Sequence, residues 1–149
     1  MALNANQIPI YAITPKTAVA NLNAASAGAL GTTTNAVTVV TAGANGSRVY
    51  SLIASTTDTA AVNLYIQIVD TGGTVVRPIG QVNVPLRSGD TASTLMVDCL
   101  DPIIVKGLPV DNTGKRYIEL GATETLRVST VANMTAAKNC YVSAQYADY

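Results

Sequence analysis

Ten residues, Ala61-Val-Asn-Leu-Tyr-Ile-Gln-Ile-Val-Asp70, constrain the fold more than any other stretch. Val62, Leu64, Ile66 and Ile68 share one face of an extended chain, and Asn63, Tyr65 and Gln67 share the other. Alternation with period two, rich in β-branched and aromatic residues, specifies a half-buried antiparallel strand. The same grammar recurs along the chain. Strands are expected at Ala36–Ala42, Arg48–Ser55, the central stretch itself, and Val75–Arg77 continuing through Ile79–Val84. Pro78 interrupts that return strand, which points to a bulge or a sheet edge. Further strands are expected at Thr94–Leu100, Arg116–Leu120, Thr125–Val131 and Lys138–Tyr146. Ile103–Val105, flanked by Pro102, Gly107 and Pro109, reads as a short strand or an irregular crossover.

The punctuation agrees with the strands. Gly43-Ala-Asn-Gly46, Thr71-Gly-Gly-Thr74 and Asp111-Asn-Thr-Gly114 are turn clusters, and the second has the Gly-Gly centre of a tight hairpin. About eight short strands at regular spacing, with no confident helix, define an all-β chain. The expected architecture is an antiparallel two-sheet sandwich, jelly-roll or immunoglobulin-like.

Residues 1–35 read differently, as an N-terminal arm ahead of a β-sandwich domain at 36–149. Lys16 is their only charge, and they are rich in Ala, Asn and Thr. Thr14-Pro15 is a possible helix start with Gly28 past its end, and an extended arm fits as well. Ile8, Ile10, Tyr11, Ile13, Val19 and Leu22 give the segment reason to lie on something, either its own domain or, as favoured here, a neighbouring subunit. The last strand lies close to Tyr149, which leaves its edge available for pairing between subunits.

Charge sets the functional classes. Only 12% of the 149 residues are charged, about half the usual share, and the formal net charge is zero. A small domain near zero net charge tends to associate. The expectation is therefore a subunit of an assembly, against the plainer alternative of a soluble monomer coated with Thr, Ser and Asn. The same balance, with no basic patch, argues against nucleic acid as a partner. No run approaches the roughly 18–20 apolar residues of a membrane span, and no signal-peptide pattern opens the chain. The expected location is the cytoplasm or a particle assembled there.

Chemistry is hard to build from these residues. Without His the commonest general base and the Ser-His pair are missing, so no enzymatic activity is expected. Asp98 and Asp101 are a possible carboxylate pair but bracket a strand end before a proline, where Asp forms turns. Cys99 and Cys140 are expected as two buried free thiols, a structural zinc site cannot be assembled within one chain, and no metal or cofactor is expected. The resemblance of Asp111–Gly114 to a calcium loop stops before its later ligands. Asn45-Gly-Ser47 and Asn133-Met-Thr135 match glycosylation sequons that read as incidental. Tyr65 and Tyr141, opposite the apolar stripes of their strands, are the Tyr residues expected to be exposed. Such residues anchor interfaces more often than they stack on sugars.

Arg48-Val-Tyr-Ser-Leu-Ile-Ala-Ser-Thr-Thr-Asp-Thr-Ala-Ala61, Leu64-Tyr-Ile66 and Gly80-Gln-Val-Asn-Val-Pro85 form one pattern. Leu120-Gly-Ala122, Leu126-Arg-Val128 and Ala147-Asp-Tyr149 extend it. Together they resemble small β-sandwich virion proteins of tailed bacteriophages, of the capsid decoration or cement kind. The resemblance covers roughly residues 48–149 and is one of cadence. It implies a homo-oligomer, a trimer by preference, that binds the major capsid protein or other virion subunits and carries no catalytic residue. The arm fits a neck, tail or fibre component equally, and a carbohydrate-binding sandwich is the further alternative. The contact residues expected are Ile8, Ile10, Tyr11 and Ile13 in the arm and Tyr149 at the other end.

Overall fold

The computed structural model describes residues 14–91, 93–101 and 106–149, so the arm residues Ile8, Ile10, Tyr11 and Ile13, and the Ile103–Val105 segment, lie outside the described residues. Nine strands form among the described residues: β1 Thr14–Leu22, β2 Val37–Thr41, β3 Ser47–Thr56, β4 Val62–Val69, β5 Val76–Val84, β6 Val97–Asp98, β7 Ile118–Leu120, β8 Thr125–Thr130 and β9 Cys140–Asp148. One sheet (sheet A) runs β1-β9-β3-β6, with β7 also paired to β3, and the other (sheet B) runs β2-β8-β4-β5.

All pairs within the sheets are antiparallel, and five of them are nested. β4 pairs with β5, β3 with β6 and β7, β2 with β8, and β1 with β9. A long hairpin folded about the β4–β5 turn and then rolled into two layers gives this order. It is the jelly roll, one of the two sandwiches expected from the sequence.

The β4–β5 turn shows why the roll begins there. Asp70 Oδ1 accepts from the Thr74 and Val75 amides at 2.7 and 3.0 Å, and Gly73 takes a φ of +71°, open to glycine without strain. On the return, Ile66 pairs with Gly80 and Gln67 with Pro78, so Ile79 is an extra, bulged residue. The strand is also an edge, where the missing proline N–H costs no ladder bond. Pro78 thus marks both of the features it suggested.

The apolar stripes meet between the layers. Leu64 and Ile66 of β4, Leu126 and Val128 of β8, Leu52 and Ala54 of β3, and Val142 and Ala144 of β9 are all fully buried. The chain contains neither Phe nor Trp, so the core is largely aliphatic with Tyr146 as its buried aromatic, and β-branched residues fit the pleat.

Three expectations are corrected. The possible helix from Thr14 does not form, because Ala20 and Leu22 point into the core while Val19 and Asn21 point outward, and β9 supplies a full ladder of partners. Tertiary pairing outweighs a weak helix signal. The last strand has no free edge: β9 lies between β1 and β3. Thr94–Leu100 shortens to the two residues Val97–Asp98, since Ser88 Oγ donates to the Leu95 carbonyl and the Gly89 amide to the Thr94 carbonyl, holding this stretch as a loop.

Residues 23–35 cross from sheet A to the outside of sheet B. The Gly28 amide donates to the Thr130 carbonyl and the Thr130 amide to the Ser26 carbonyl, both at 2.9 Å. Gln67, on the polar face of its strand, is fully buried there: its Nε2 donates to the Thr32 carbonyl at 2.5 Å, and its Oε1 accepts from the Gly31 amide at 3.3 Å. A Cβ on Gly28 would sit 2.6 Å from the Thr34 carbonyl oxygen, so no larger residue fits beneath the strap.

Asp58 is the buried carboxylate, 1% exposed. Burial pushes its pKa up, but bonds from the Thr135 hydroxyl (2.7 Å) and amide (2.9 Å) and the Ala60 amide (3.1 Å) outweigh it and hold the carboxyl below the usual range. It ties the β3–β4 loop to residues 131–135. Asp58→Ala is expected to cost about 2–4 kcal/mol in chemical denaturation, from lost charge-assisted bonds and orphaned donors. Because the folded carboxyl titrates below the unfolded one, its contribution is complete above about pH 4 and fades as pH falls through the folded value. Acid titration of the wild type should show that loss, and Asp58→Ala should flatten it.

Candidate interaction surface

The outer face of sheet A is a grid set by the pairing register. Thr17 of β1 lies beside Gln145 of β9, and Gln145 beside Ser51 of β3. The next row is Val19, Ser143 and Ile53, and the third is Asn21, Tyr141 and Ser55. None of these nine side chains is charged. Val19 is 64% exposed at one margin, and Tyr141 stands exposed in the third row. Beyond β3, Met96 packs near Gly89 and Ser55 and is itself exposed, as is Leu95.

Sheet B offers no equivalent surface. Residues 26–35 cover part of its outer face, with Gln67 and Ser129 buried beneath them. On the rest, Asn83 Nδ2 donates to Asn63 Oδ1 at 2.9 Å across β4 and β5. The strap therefore makes the two faces unequal and leaves sheet A as the open one.

Three ion pairs collect at one pole of the sandwich. Lys16 Nζ meets Asp148 Oδ2 at 2.5 Å, Arg48 Nε meets Glu119 Oε2 at 3.1 Å, and Arg77 pairs with Glu124. Asp148 also accepts from Ser47 Oγ at 2.5 Å, and the hydrogen bond from Lys16 is the largest cause of its lowered pKa. Exposed pairs of this kind contribute little stability each.

Tyr149 belongs to this pole. Its hydroxyl donates to Glu119, Arg48 stands 5.9 Å from its ring centroid, and the same guanidinium stacks 4.2 Å over Tyr117. Burial, with the Glu119 carboxylate beside it, pushes the Tyr149 phenol up to about 12. Its contacts among the described residues are thus within its own chain.

Of the other Tyr residues, Tyr141 is exposed as expected and Tyr65 is half-buried. Tyr50, 45% exposed, is the one that sequence reasoning missed. The β3–β9 register shifts between Val49 and Ser51, and this bulge turns Tyr50 outward. The signal was present in the spacing of Val49, Leu52 and Ala54, three residues and then two.

Asp98 is a turn former, its Oδ1 accepting from the Leu100 amide at 2.9 Å. Asp111 is another, accepting from the Thr113 and Lys115 amides. No group of three metal-ligating side chains occurs among the described residues. Cys99 and Cys140 are both buried and unbonded. Burial is the main cause that pushes each thiol up to about 12, with Asp98 adding to it at Cys99 and Asp58 at Cys140.

The class defined here is a jelly-roll sandwich with a three-by-three grid of uncharged side chains on the outer face of sheet A. No family model and no curated protein matches the sequence. Among solved structures, the chain is similar to one described as the cyanophage Pam1 capsid asymmetric unit, at 14% identity over 99% of each chain with a TM-score of 0.45.

Both thiols should resist an aromatic disulfide reagent at pH 8, because thiolate is the reactive form and neither sulfur is accessible. Two equivalents per chain should react once denaturant is added. Reaction of either thiol in the native protein at the rate of a free cysteine would contradict the buried arrangement.

Proposed function

We propose that this protein is a non-enzymatic structural subunit of a tailed-phage virion, of the decoration or cement kind, that binds the assembled capsid through the outer face of sheet A. The observation that carries the reading is the three-by-three grid of uncharged side chains on that face, beside exposed Val19, Leu95 and Met96. Neutral surface with Tyr and Met at hand is what desolvates readily against another protein, whereas charged surface resists burial. Several copies fixed on a lattice raise one another's effective concentration. The jelly roll itself hosts many functions and supplies a rigid platform here, not a role. The sequence resemblance to decoration proteins supports the same reading.

A sugar-binding reading has one observation in its favour: Tyr141 stands exposed with Asn21 and Ser143 beside it, a ring with amide and hydroxyl neighbours. The absence of His from the whole chain supports the non-enzymatic part. A hydrolase screen in which activity disappears with Asp98→Asn would overturn that part.

The test is re-addition. Purified protein should co-sediment with capsids of its own phage from which this chain has been deleted, and should raise the temperature at which they rupture. Ile53→Lys, in the middle row, should reduce occupancy by about tenfold or more through an unpaired charge at the interface, with the fold unchanged by circular dichroism. Failure of the wild type to bind capsids, or binding of Ile53→Lys at wild-type strength, sinks the proposal. Binding to host polysaccharide that Tyr141→Ala abolishes would establish the sugar reading in its place.

A further inference from the structure

The four margins of the two sheets are not alike. β5 is interrupted by Pro78 and the Ile79 bulge and carries Arg77. β2 is five residues long and its register slips between Thr38 and Val40. The far side of β3 is occupied in two places, by β7 at Ser47–Val49 and by β6 at Ile53–Ala54. Each of these margins carries a device that discourages another strand from adding.

β1 carries none over most of its length. Among the described residues it is paired to β9 alone, over nine residues with no register shift. Residues 17–22, Thr-Ala-Val-Ala-Asn-Leu, have no charge and no proline. The one charge in the strand, Lys16, is held by Asp148 of its own chain. Val19, at 64% exposure, stands near the middle of this stretch. A long, regular, uncharged edge on a chain of zero net charge is what a monomer avoids.

We infer that the β1 edge is a self-association site, at which β1 of a second copy adds antiparallel across a two-fold axis at Val19. Sheet A then continues from one copy into the other. The register is self-complementary. Val19 faces its own counterpart on the outer side, Thr17 faces Asn21, Ala18 faces Ala20, and Lys16 falls opposite Leu22. No like charges meet, and the small Ala pairs let the inner sides close together. An occupant of fixed charge has nothing to pair with along residues 17–22, which favours a second copy over an acidic or basic partner. The contact is isologous and closes at two, unlike the trimer that the decoration-protein resemblance implies, which needs a head-to-tail contact. The inference does not depend on the capsid reading.

Sedimentation equilibrium of the full chain should give a dimer. Val19→Lys places two ammonium groups across the axis and should weaken association by more than about tenfold, with an unchanged circular dichroism spectrum. Val19→Cys should form a disulfide-linked dimer under mild oxidation, since cross-strand Cα separations of about 4.5–5.5 Å lie within disulfide reach. Leu30→Cys, an exposed residue of the strap, is the control and should not crosslink in this way. A wild type that sediments as a monomer or a trimer overturns the inference. So does a dimer in which Val19→Cys crosslinks no faster than Leu30→Cys. Should Val19→Lys fail to fold, the two Cys variants decide the matter alone.

Discussion

The structure depends on the double pairing of β9. Its nine residues hydrogen-bond to β1 on one side and to β3 on the other, and its inward residues Val142 and Ala144 lie at the centre of the core. Without β9, β1 has no partner among the described residues, and the inner face of sheet B loses much of what covers it. The outer grid exists for the same reason. Its three rows are aligned because β9 fixes the register of both neighbours, and a one-residue slip would turn every member inward.

Much of this was legible because period-two alternation depends only on which residues fear water. Val62 through Ile68 announced β4, and Thr71-Gly-Gly-Thr74 announced the turn around which the roll is built. The choice between jelly roll and immunoglobulin-like order was not legible, because it is settled by which strands pair at long range, and local patterns carry no record of that. The fate of β9 was misread, and that of β1 left open between helix and extended chain, for the same reason. Proximity of a strand to Tyr149 says nothing about its place in a sheet, and the segment from Thr14 has a helix start but also a strand-like alternation that a partner can use.

The neutral face was legible only as a total. Low charge suggested buried surface, but that three ion pairs gather at one pole followed from register, through Lys16 with Asp148, Arg48 with Glu119 and Arg77 with Glu124. Glu119 and Arg48, distant in sequence, engage Tyr149 within the chain, contacts that no local pattern announces. Gln67 shows the converse, a polar residue on an expected outer face that its own strap buries.

The nested pairing has a consequence for the order of events during synthesis. The β4–β5 hairpin closes over a few residues and can form while the rest is still being translated, but every ladder outside it spans a longer loop. Sheet A is incomplete until β9 leaves the ribosome, so β1 and β3 must wait, already extruded, with their backbone groups unsatisfied by the strand that later separates them. Such a chain acquires its native layers only after β9 has emerged, and it is in the interval before β9 arrives that it is most exposed to pairing with the wrong strand.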